Sequence, residues 1–140
     1  MSADTRLLNE IYRESINAIT ILCAILEKSP EGEFFDVLFR KMTKYREIAN
    51  EAVELLDKTG GKIIKQKILD RVSLKTVLYI VTANNKKDYL LGLLTKGSIE
   101  GIKEITTCIN TCTDACEKTR RLAYRLIEEE ENNVGTILLL

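Results

Sequence analysis

Between residues 31 and 58 the chain places Phe35, Leu38, Met42, Tyr45, Ala49, Ala52 and Leu56 at alternating steps of three and four. That spacing keeps every member on one narrow stripe of a helix, the seam geometry of a bundle or coiled coil. A stripe of this kind has no stable solution alone, so its partners must lie elsewhere in the chain or in another copy. Gly60-Gly61 follows at once and predicts a helix C-cap, because glycine adopts the left-handed cap conformation without a Cβ clash. Ser29-Pro30 precedes it and predicts the boundary with an earlier helix, proline being harmless in a first turn.

That earlier helix is expected over about 4–28, with Leu8, Ile11, Ala18, Ile19, Leu22, Cys23 and Leu26 at helical spacing and Asp4 as N-cap. Ser15 interrupts its stripe. Residues 62–85 carry only a short apolar face, at Leu74, Val77, Leu78 and Val81, and read as a long crossover (60–86) with a short helix. A third helix is expected over about 87–110, through Leu90, Leu91, Leu94, Ile102, Ile105 and Ile109. A fourth follows over about 114–131, with Thr119, Leu122, Ala123, Leu126 and Ile127 inward. One continuous helix over 87–131 would span roughly 67 Å at about 1.5 Å per residue, far longer than its partners. A break is therefore needed. Thr111-Cys112-Thr113-Asp114 is preferred over Gly97, since Asp114 and Glu117 approximate a capping box and four threonines crowd residues 106–113. The last residues, 134–140, form an apolar tail (VGTILLL) expected to dock on the body or in an oligomer contact.

The expected fold class is therefore all-α: an antiparallel four-helix bundle in a single domain (1–140), with a long crossover between the second and third helices. One proline and no tryptophan in a chain of 45% hydrophobic and 30% charged residues fit that class better than a turn-rich β fold. No stretch of about 18 apolar residues is present to span a membrane, and MSADTRLLNE at the start is too polar for a secretory leader. With four cysteines then read as reduced thiols, the cytoplasm is the expected location.

Chemistry is constrained most by an absence. The chain contains no histidine, which removes imidazole acid–base catalysis, His-dependent nucleophile pairs and imidazole metal ligation. Gly60-Gly61-Lys62 has neither spacing of a phosphate-binding loop and reads as a cap. A di-metal centre in a bundle needs inward carboxylates on every helix. Glu10, Glu14 and Glu27 lie off the first seam; Glu47, Glu51 and Glu54 flank the second; Glu100 and Glu104 sit beside the third stripe; only Glu130 is placed to face inward. The expectation is no cofactor and no enzyme activity.

Two clusters remain. Lys62, Lys65, Lys67, Arg71 and Lys75 make the crossover basic, yet Tyr79 is the only aromatic among them, which argues against base stacking and a nucleic-acid partner. Cys108, Cys112 and Cys116 are spaced by four. On one helix the outer two would be about 12 Å apart, too far to share an ion; a turn near residue 112 would gather all three at one end of the bundle. Their two readings are small apolar packing and a soft-metal, Cu(I), or redox site, with Cys23 as a further thiol.

The stretches LLNEIYRESINAI, YREIANEAVELLDKTGG, DYLLGLLTKGSIEGIKE and RRLAYRLIEEEENN, in this order and separation, resemble ferritin-like four-helix bundles, especially the small bacterial ones. The resemblance covers about residues 6–133 and rests on lengths and hydrophobic pattern. It implies an antiparallel bundle with a connection crossing its length, often dimeric, and a di-iron site of Glu and Glu-x-x-His residues. The chain departs from that site: it has no histidine, and Ile19 and Ser98 stand roughly where carboxylates are expected. Iron chemistry is therefore not carried over. The function expected is a non-catalytic bundle acting as a homo-oligomer, a dimer by preference, or as a protein-binding module. The alternative is a thiol-based Cu(I) or redox protein using Cys108, Cys112 and Cys116.

Overall fold

The computed structural model describes residues 1–64 and 87–139, and among them the chain is all-helical, with four helices and no strand. The short helix expected in the crossover, and the basic residues Lys65, Lys67, Arg71 and Lys75, lie outside the described residues. So do the side chains of 136–140, and with them the expected docking of the tail.

Helix α1 spans Ala3–Lys28. Its N-cap is Ser2, whose hydroxyl accepts from the Thr5 amide at 3.1 Å. Asp4 was expected in that role, but it lies two residues further on, within the first turn, and is engaged elsewhere. Helix α2, Glu33–Thr59, ends where Gly60 takes the left-handed conformation (φ 74°) and Gly61 donates to the Leu56 carbonyl at 2.9 Å. Gly61 is tight for a second reason: a Cβ there would sit 2.7 Å from Thr5 Oγ1. The end of α2 is thus pressed against the start of α1. Asn9 extends this contact, donating to the Lys62 carbonyl at 2.9 Å and accepting from the Ile64 amide at 2.8 Å.

Helix α3 runs from Lys87 to Thr111 without interruption at Gly97, and α4 from Glu117 to Leu139. Two differences from expectation follow. The corner between α3 and α4 is not capped by Asp114; Asp4 of α1 reaches across and accepts from the Cys116 amide at 2.8 Å. The fourth helix also does not stop at Glu131 but carries the apolar tail as further helical turns.

Helix α1 packs on α2 and α3 on α4, and α1 and α2 each also meet α4. The core between them includes Leu7, Leu8, Ile11, Leu22 and Ile25 of α1, with Leu38, Tyr45, Ala52 and Leu56 of α2. Leu90, Ile105, Leu122, Ala123 and Leu126 complete it from α3 and α4. A fully buried aliphatic side chain stabilises by about 1.5–3 kcal/mol. No described helix is long and apolar enough to cross a membrane.

Candidate functional site

Two clusters bring chemistry-bearing side chains together. The first lies inside the bundle. Asn133, 6% exposed, is placed inward because α4 continues past Glu131. Its Oδ1 accepts from Lys41 Nζ at 2.8 Å, and its Nδ2 donates to the Tyr45 hydroxyl and, at 3.4 Å, to Ser98 Oγ. One side chain of α4 thereby ties α2 to α3. Glu130, one turn earlier and 4% exposed, faces the same two hydroxyls.

The electrostatics follow from burial. Loss of water pushes the Glu130 carboxyl up to about 7; hydrogen bonds from Ser98 and Tyr45 pull it back, and the nearby charges of Glu14 and Glu129 raise it again. Burial raises Tyr45 well above its ordinary value, the negative charge of Glu130 adding to the effect. The Lys41 ammonium is lowered, chiefly by burial and also by Lys44 and Arg40, while Glu129 and Glu130 support its charge.

Glu14 corrects the sequence reading. It was placed off the α1 seam, yet its side chain is only 12% exposed and burial raises its carboxyl, with Arg13 opposing and Glu104 and Glu100 adding to the rise. The reason lies on α3. A Cβ at Gly101 would stand 3.1 Å from Glu130 Oε1 and 3.2 Å from Glu14 Oε2, so the missing side chain makes room for two carboxylates from different helices. The periodicity of α1 alone carries no sign of this; only the glycine opposite does. Arg13 accompanies Glu14 inward and also binds Glu10. Beside them Ser15 is fully buried, and its Oγ has no hydrogen-bond partner among the described residues. The helix-flanking carboxylates Glu47, Glu54, Glu100 and Glu104 stay exposed, and Glu51 pairs with Arg125 at the surface.

The second cluster is the cysteine corner. Cys108 in the last turn of α3 and Cys112 just beyond it bring their sulfurs to 3.7 Å, and the Cys112 amide donates to the Cys108 carbonyl. Cys112 is buried in the core and Cys108 half-buried. Cys116 does not join them. It is exposed at the start of α4, with its sulfur 3.3 Å from Thr119 Oγ1. Cys23 lies against Met42, sulfur to sulfur 3.2 Å. Among the described residues no three Cys, Asp or Glu side chains converge as a metal cage.

Burial pushes the Cys108 thiol up to about 11, and the neighbouring Cys112 adds to the rise, while Arg6 and Arg13 oppose it. At neutral pH it is a thiol, not the thiolate that a nucleophilic cysteine requires. Cys108 opens on a groove of about 320 Å³ whose walls include Met1, Arg6, Asn9, Glu10 and Arg13. No protein-family model, characterised protein or solved structure matches the chain.

Proposed function

We propose that this protein is a non-catalytic helical bundle of the antiparallel, ferritin-like type, with its long crossover between α2 and α3, acting in the cytoplasm as a homodimer. The observation that carries this reading is the Asn133 network. Lys41, Tyr45, Ser98 and Asn133 are engaged with one another across three helices, which is how a polar layer selects helix partners and register. Interior polar groups that hold the helices together leave the surface as the working part. That surface carries large apolar side chains, Phe39, Tyr89, Ile99 and Tyr124, each more than two-fifths exposed. Helix α4 runs on to Leu139 through the apolar end of the sequence.

Light scattering on eluting protein over a hundredfold concentration range tests the proposal. A mass of twice 15.9 kDa is expected at the higher concentrations, and a monomer throughout overturns the dimer. A chain ended at Asn133 keeps the polar network and is expected to elute as a monomer. An unchanged dimer would move the interface away from the end of α4.

A further inference from the structure

We infer that Cys108 and Cys112 form a two-thiolate site for a single soft monovalent metal ion, Cu(I), at the corner between α3 and α4. The inference is independent of the dimer and narrower than the three-cysteine site that the spacing allowed, because the structure turns Cys116 away to Thr119. Two sulfurs each about 2.3 Å from one ion stand about 4.0 Å apart at the trigonal angle of three-coordinate Cu(I). Those of Cys108 and Cys112 stand 3.7 Å apart already. The pair is therefore a few tenths of an ångström short of chelating geometry, a gap that side-chain rotation closes.

The donor set selects the metal. Structural zinc takes four protein ligands, and only two converge here among the described residues. Cu(I) is satisfied by two or three soft ligands. Its open side would face the groove on which Cys108 lies, which Met1 also lines. Charge is accommodated on the same side. Two thiols bind Cu(I) with release of two protons, giving a bis-thiolate complex of net charge minus one. Arg6 and Arg13 both line the groove and act on Cys108. Glu10 lines it as well, and Arg13 is held by Glu10 and Glu14. Arg6 makes no ion pair among the described residues, and is the cation left to face the complex.

The test is a competition. The reduced full-length protein, kept free of oxygen, is titrated into Cu(I) held by a coloured Cu(I) chelator. One equivalent per chain is expected to pass to the protein. Cys108→Ser and Cys112→Ala are each expected to weaken transfer by about 100-fold or more, since losing even an outer-shell partner of a ligand costs about 10–100-fold. A Cys23→Ser, Cys116→Ser double variant is expected to match the wild type. Helical circular dichroism of the apo-proteins verifies folding, and Cys108→Ser, at a half-buried position, keeps the test alive where Cys112→Ala unfolds the corner. No transfer from the chelator, transfer that survives both substitutions, or transfer lost with Cys23 and Cys116 overturns the site.

Discussion

Where α1 begins and α2 ends, beside the α3–α4 corner, the helices meet through Leu7, Leu8, Ile11, Leu56, Ile109 and Leu122. Further along, around Tyr45, Ser98, Glu130 and Asn133, they meet through hydrogen bonds. Both regions are equally closed to water, with Leu122 at 1% and Tyr45 at 1% exposure. They differ in what burial does. In the first it is a gain proportional to apolar area. In the second, each polar group loses its water and is stable only through its partners. The aliphatic end therefore supplies stability at any pH, whereas the polar layer supplies register and makes stability depend on protonation.

The largest break is expected at the aliphatic end. Leu122→Ala removes a fully buried side chain and is expected to destabilise by about 2–5 kcal/mol, with no pH dependence of the difference. Urea unfolding followed by helical circular dichroism measures it. A loss below about 1 kcal/mol would mean that the end closes over the cavity and carries less of the stability than its burial implies.

Glu130→Gln sharpens the other side of the comparison. The folded carboxyl titrates near 7, above its ordinary 4.5, so the fold favours the protonated form. Its contribution is fully present below pH 4.5 and is lost as pH rises to 7, by about 3 kcal/mol in the limit. Burial gives Glu14 a shift of the same sign, while Lys41 and Glu129 are the other charges facing Glu130. Glutamine keeps an acceptor for Tyr45 and Ser98 without the charge. The variant is expected to match the wild type near pH 4.5 and to exceed it at pH 8. A variant weaker than wild type at pH 8 would show that attraction between Lys41 and ionised Glu130 outweighs the burial of the charge.

Asn133→Ala removes the link between Lys41, Tyr45 and Ser98 and leaves a buried ammonium without its acceptor. A loss of about 1–3 kcal/mol is expected. The loss should shrink in a Lys41→Met background, since the two residues share one interaction. Equal losses in both backgrounds would mean that the ammonium finds water instead.

The aliphatic region was legible in the sequence and the polar layer mostly was not. Apolar residues at 3-4 spacing report their own burial, so four helices and most of the core follow from each segment by itself. Tyr45 and Glu130 were also visible as inward positions. Glu14 and Lys41 were not, because what admits them lies on other helices: a glycine on α3 for Glu14, and an asparagine on α4 for Lys41. Asn133 was missed for a local reason. A run of four glutamates followed by two asparagines reads as a fraying end, and the apolar turns beyond it were not counted as helix. Among the cysteines, the spacing identified a corner but could not say which thiols would turn towards one another. That depends on the Asp4 contact, which draws Cys116 towards α1.

That contact gives the smallest effect and the finest test. Asp4 accepts from the Cys116 amide as an N-cap supplied by another helix, so α4 begins with its first donor held from outside. Burial alone would raise the Asp4 carboxyl. Hydrogen bonds from the Cys116 amide, the Cys116 thiol and the Thr119 hydroxyl outweigh it and hold the group below its ordinary 3.8. A lowered acid stabilises above its unfolded value and loses that contribution as pH falls through the folded one. Asp4→Ala is expected to cost about 0.5–1 kcal/mol at neutral pH, at the lower end of what a cap contributes. The gap should begin to narrow as pH falls below 3.8 and close once it has fallen through the lower folded value, where the wild-type carboxyl is protonated too. A gap that persists in acid would mean that Asp4 acts by packing, and equal stabilities at neutral pH would mean that water caps α4 as well as Asp4 does. Either result would leave the corner dependent on its aliphatic neighbours alone, and would bring it wholly onto the apolar side of the comparison.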